Sequence, residues 1–215
     1  MSSQRLKAAF IGHSFVKRFH NVLFAEKLPG KSMSLSMPTI LNVDDHYSYI
    51  RVYGRSGAKL KDLISLIDKV GKAHPDVLVI DIGTNDICDR ECDVRELVRR
   101  LMILAEYAQI GHGVRAVYFC NVLNRGRCRE VSQSVFSDRK ILFNDLMQES
   151  CESRDFVDFH KFSGFWKDSE GRPLEIKMWS ADLIHPGPSP KSHGFRKYRR
   201  SIRKCMLKAV AKLNA

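Results

Sequence analysis

Four separated stretches of this chain carry side chains that could do acyl chemistry together. Ser14 follows an apolar run, Leu6 to Ile11, and precedes Phe15, Val16, Phe19, Val22 and Leu23 at helical spacing. A serine at such a strand-to-helix turn presents its hydroxyl at the carboxyl edge of a sheet, beside unpaired N–H groups and the positive end of a helix. That is a place for a nucleophile, and equally a place for an ordinary serine N-cap. Asp182 lies three residues before His185 in the loop Ser180 to Pro188. On a turn, its carboxylate can accept the imidazole Nδ1–H, leaving Nε2 to take the proton of Ser14. Nucleophile, base and orienting acid are then Ser14, His185 and Asp182.

Acyl transfer also requires donors aimed at a developing oxyanion. Gly57, in the turn Gly54 to Ala58, offers a backbone N–H with no side chain in the way. Asn85, in Gly83-Thr84-Asn85-Asp86, offers a carboxamide, and the N–H of Ser14 itself is a third donor. Asp86 fits a loop-holding role, accepting backbone N–H bonds. Phe162, Phe165, Trp166 and Trp179 precede the His185 loop and suit either a pocket wall or packing beneath it.

The elements that must position these groups alternate in type. Tyr47 to Tyr53 reads as a strand, followed by a helix through Leu60, Leu63, Ile64, Ile67 and Val70. Val77 to Ile82 is a continuous apolar run, as a central parallel strand requires. A long helix carries Val94, Leu97, Val98, Leu101, Leu104 and Ala108. A buried strand then spans Val114 to Val122, and Asn124 to Arg129 reads as an exposed basic loop. Phe136 to Cys151 is helical, with Ile141, Leu142, Leu146 and Met147 as its apolar side, and Phe156 to Asp158 is a short strand. Leu28 to Pro38 reads as a loop. Alternating strands and helices imply an α/β fold with a parallel sheet covered on both faces. Ligands of such sheets bind outside the carboxyl ends of the strands, where Ser14, Gly57 and Asn85 should converge.

Composition narrows the class. At 215 residues and 44% apolar, the chain suits one globular domain. Six cysteines lack a framework spacing, and Cys88-x3-Cys92 has no second metal-ligand pair, so no metal and no cofactor is expected. Without a secretion signal or an apolar run of membrane-spanning length, the expectation is an intracellular protein, cytoplasmic or nuclear. Of the net charge of +12, nine Lys and Arg with no acid fall between Lys191 and Ala215. Phe195, Tyr198, Ile202, Met206, Ala209 and Leu213 form an apolar stripe through this tail. The expected division is therefore 1–190 as the α/β domain and 191–215 as a basic amphipathic helix packed on it. Arg196, Lys197, Arg199, Arg200, Arg203 and Lys204 would either form a solvated face or attract nucleic-acid or membrane phosphates.

The motifs, in their order, resemble those of the SGNH (GDSL-type) hydrolases. Gly12-His13-Ser14-Phe15 is similar to the GDSL block, Gly57 to the single-glycine block, Gly83 to Asp86 to the GxND block, and Asp182 to His185 to the DxxH block. The resemblance implies a flavodoxin-like three-layer α/β/α sandwich and metal-free hydrolysis of esters or acetyl groups, with small-molecule, carbohydrate or lipid esters as substrates. It implies Ser14 as nucleophile, Gly57 and Asn85 as oxyanion donors, and Asp182 and His185 as the rest of the triad. His13 replaces the aspartate of the GDSL block, which calls for a different local hydrogen-bonding pattern and fits a structural role. The GHSF variant with a basic tail also resembles the esterase-like domains of some animal retroelement proteins. That resemblance implies a nucleic-acid-binding module as the alternative function.

Overall fold

The five residues of Val77–Asp81 are all buried, and this run forms the middle strand of the sheet. The computed structural model describes residues 5–25, 36–128, 130–162, 165, 184, 185, 187 and 192–215. Within them, the elements are β1 (Leu6–Gly12), α1 (Ser14–Ala25), α2 (Met37–Leu41), β2 (Tyr47–Gly54), α3 (Leu60–Gly71), β3 (Val77–Asp81), α4 (Val94–His112), β4 (Ala116–Cys120), α5 (Gln133–Glu152), β5 (Val157–His160) and α6 (His193–Asn214). The sheet is entirely parallel in the order β2-β1-β3-β4-β5. This is the flavodoxin-like arrangement, with a switch point between β1 and β3.

Strand periodicity of two feeds separate cores on the two faces. Ala8 and Phe10 of β1, Val77 and Val79 of β3, and Tyr118 and Cys120 of β4 point into a cluster with α1, α2 and α6. Ala9 and Ile11, Leu78 and Ile80, and Val117 and Phe119 point into the other, with α3, α4 and α5. The result is a three-layer α/β/α sandwich. Gly12 permits the tight approach of β1 to β3, because a Cβ there would sit 2.1 Å from the Asp81 carbonyl oxygen.

The stripe expected on the terminal helix is the face that α6 buries: Phe195, Tyr198, Ile202, Met206 and Ala209 belong to the first core, with Leu213 half-buried against it. The Tyr47 hydroxyl donates to the Met206 carbonyl at 2.7 Å, tying α6 beneath β2.

Several local expectations differ from the structure. Helix α2 begins inside the segment read as a loop, because Pro38 falls in the first turn, where a missing N–H costs nothing. The fourth strand is shorter than the apolar run that announced it, and the fifth lies one residue later and ends at His160. Helix α5 buries Phe136, Phe143, Met147 and Cys151, leaving Ile141 and Leu142 exposed. The larger aromatic rings at 136 and 143 fill the space against the sheet, which rotates the adjacent aliphatic pair outward.

Candidate active site

The turn after β1 places Ser14 at the first position of α1, at the β1/β3 switch point. Its Oγ lies 2.7 Å from His185 Nε2. Serine and imidazole are 171 residues apart in sequence, and the structure brings them into hydrogen-bond contact. The Phe15 ring packs against His185 with centroids 5.4 Å apart, so the helix that carries the serine also supports the imidazole. Asp182 lies outside the described residues, as do Trp166 and Trp179. Phe162 and Phe165 are buried and pack on each other in the α6-side core, which is the packing alternative of the two readings.

His13 is 1% exposed and does not line the cleft that holds Ser14 and His185. Its Nδ1 accepts the Phe15 N–H at 3.3 Å, and its Nε2 sits 3.2 Å from Asp81 Oδ1, off hydrogen-bond angle. A ring nitrogen that accepts an N–H bond carries no proton, so the imidazole is the Nε2–H tautomer. The other oxygen of Asp81 accepts the hydroxyl of Tyr198 from α6. Burial and the nearby Asp81 charge raise the pKa of Tyr198 well above that of free tyrosine, so it remains a donor. The Ser14 turn is thus underpinned by His13 of the turn itself, Asp81 of β3 and Tyr198 of α6. Sequence reasoning put Tyr198 only in an apolar stripe and missed Asp81.

The loops that carry Gly57 and Asn85 are fastened to each other. Asn85 Nδ2 donates to the Ala58 carbonyl at 3.0 Å, and Asp86 Oδ1 accepts the Leu60 N–H, the first of α3, at 2.8 Å. Lys59 Nζ reaches Asp89 Oδ2 at 2.7 Å. Burial raises the pKa of Asp86, while the N–H bonds it accepts pull the other way. Its loop-holding role is therefore visible directly. Gly57 adopts φ +71°, and a Cβ there would meet no atom within 4 Å. The glycine is required for backbone conformation, and the space before it is open.

Ser14, Gly57, Asn85 and His185 line one cleft of about 730 Å³. Arg125 lines it as well. The loop containing Arg125 was expected to be exposed, but this residue is 8% exposed, because the chain after β4 folds back over Cys88. Its isolated position in a polar stretch gave no sign of this. Cys88 and Cys128 are free thiols with sulfurs 3.1 Å apart, and burial pushes Cys128 up to about 12.

No described basic residue of α6 lines this cleft: Arg199 donates to the Ile40 carbonyl and Arg203 to that of Asn42 at 3.3 Å, satisfying the carboxyl end of α2. Arg196, Arg200 and Lys204 are exposed, and Lys197 is half-buried. No group of three or more potential metal ligands occurs among the described residues. No described helix is long and apolar enough to cross a membrane.

Comparison with solved structures returns the same architecture. A GDSL-like lipase from Bacteroides thetaiotaomicron superposes with a TM-score of 0.66 at 16% identity, covering 94% of this chain and 88% of that one. A catalytic mutant of an acetylxylan esterase from Geobacillus stearothermophilus gives 0.66 at 14% identity, covering 98% and 96%. An α/β hydrolase from the metagenome of Lake Arreo, Spain, gives 0.63 at 18% identity over 100% of both chains. These likenesses concern the fold. No curated protein matches at the sequence level, and nothing in the comparisons supports nucleic-acid binding. The model of the GDSL-like lipase/acylhydrolase family matches residues 26–189. The chain belongs to the GDSL-like lipase/acylhydrolase family.

Proposed function

We propose that this protein is a serine esterase or deacetylase that cleaves an ester or O-acetyl group through an acyl-enzyme on Ser14. The observation that carries the reading is the 2.7 Å contact between Ser14 Oγ and His185 Nε2 at the switch point of the sheet. As Oγ attacks the substrate carbonyl, Nε2 takes its proton. The oxyanion that forms is met by the N–H of Ser14, the N–H of Gly57 and the second Nδ2–H of Asn85. The first Nδ2–H, given to Ala58, aims the amide. His185 then protonates the leaving alkoxide. In the second half, it deprotonates a water that attacks the acyl carbon, and Ser14 leaves with the proton returned. Asp182 is assigned, from its place three residues before His185, to accept the Nδ1–H and stabilise the imidazolium.

The family and the esterase fold neighbours agree with acyl hydrolysis. The test is pre-steady-state turnover of 4-nitrophenyl acetate. Wild type should release a burst of nitrophenolate stoichiometric with enzyme, followed by slower steady hydrolysis. Equal turnover by wild type and Ser14→Ala would remove the proposal.

A further inference from the structure

The cleft at Ser14 is cationic in an unusual way. Among the described residues, Lys17, Arg18, Lys59 and Arg125 line it, against the carboxylate of Glu130. Three of these cations have ordinary surroundings: Lys17 and Arg18 are exposed on α1, and Lys59 is held by Asp89. Arg125 is different. It is more than nine-tenths buried, and among the described residues its Nη1 donates to the Cys88 thiol alone, at 3.0 Å, while its buried Nε meets no acceptor. A thiol is a weak acceptor, and its neighbour Cys128 is kept neutral by burial. A guanidinium removed from water with no carboxylate bonded to it among the described residues is costly, and one retained beside such a cleft is poised for an anion.

We propose that the substrate is an ester bearing a second, anionic group, a carboxylate or a phosphate monoester, and that Arg125 is the residue that selects it. The inference rests on the esterase reading above. The planar fork of arginine suits both oxyacids, forming paired N–H bonds to two of their oxygens. Lys17 and Arg18 at the mouth raise the local concentration of such anions. A cleft of about 730 Å³ accommodates an ester of this kind with its charged end away from Ser14. The selection acts on binding, so it applies whether the charge lies on the acyl or the alcohol side.

The test compares matched esters, each rate normalised to its spontaneous hydrolysis. On the alcohol side, 4-acetoxybenzoate and 4-acetoxyphenyl phosphate are set against methyl 4-acetoxybenzoate. On the acyl side, mono-4-nitrophenyl adipate is set against its methyl ester. At least one anionic ester should show kcat/KM about tenfold or more above its neutral partner, as expected for charge-assisted hydrogen bonds. That ratio should fall to near one in Arg125→Gln and be partly restored in Arg125→Lys. In Ser14→Ala, equilibrium dialysis should show the same preference as binding, which separates the two readings: binding selectivity without turnover would fault the esterase assignment alone. Neutral esters processed as well as both anionic sets by wild type would overturn the proposal, whether or not the Arg125 variants fold. A preference unchanged in Arg125→Gln would also overturn it.

Discussion

Two imidazoles adjoin Ser14, and their surroundings differ in every respect that matters. His13 is its chain neighbour, yet it is 1% exposed, with Nδ1 accepting the Phe15 N–H and the Asp81 carboxylate 3.2 Å from Nε2. His185 arrives from 171 residues away, is half-buried, and turns Nε2 toward the serine hydroxyl across an open cleft. The first ring has a fixed tautomer and no route to a substrate. The second faces both the Ser14 hydroxyl and solvent, which suits the proton-shuttling role proposed for it. Adjacency to Ser14 in sequence thus does not decide which ring can reach its hydroxyl; the shell around each ring does.

The comparison can be broken at its strongest point first. His185→Ala and Ser14→Ala should each lower kcat/KM for an activated acetyl ester by about a thousandfold or more. Their urea midpoints should stay close to wild type, since both groups border a cleft. Asn85→Ala should follow with a loss of about a hundredfold in kcat, the usual cost of one oxyanion donor. A milder loss would mean that the amide serves chiefly to tie its loop to Ala58.

The buried histidines should show themselves in stability. His160, at the end of β5, bonds Ser201 of α6 at 2.9 Å, and burial lowers its pKa to about 4. The folded state therefore resists protonation that the unfolded chain accepts near pH 6.5. The stabilisation is complete above that pH and is lost as the pH falls toward 4, by on the order of 3 kcal/mol. His160→Gln should flatten this part of the curve of unfolding free energy against pH. The smallest effect is expected from Tyr198→Phe, which strips Asp81 of a buried donor. About 2 kcal/mol of stability should go, by urea denaturation, while esterase activity changes less than tenfold. A large activity loss with little destabilisation would place the His13 cluster in the chemistry and erase the contrast.

The legible part of the molecule is the part written locally. Apolar runs gave the parallel strands, and Ser14, Gly57 and Asn85 could be assigned to one sheet edge because each follows such a run or its loop. His185 was recognisable only beside Asp182, at a spacing that a triad can use. The illegible residues depend on encounters between distant segments. Asp81 and Tyr198 are 117 positions apart, and neither carries a local sign of its partner. Arg125 sat in a polar loop, and only the position of Cys88, 37 residues earlier, makes it a buried cation in the cleft. Arg199 and Arg203 read as a basic face because their acceptors are backbone carbonyls of α2, which no side-chain pattern reveals.

The most direct test of the Ser14–His185 unit is reaction of the purified protein with a fluorophosphonate, with the adduct located by peptide mass spectrometry. A single adduct on Ser14 is expected in wild type, and none in Ser14→Ala or His185→Ala. Well-folded wild-type protein that stays unlabelled, or that labels equally in His185→Ala, would contradict it.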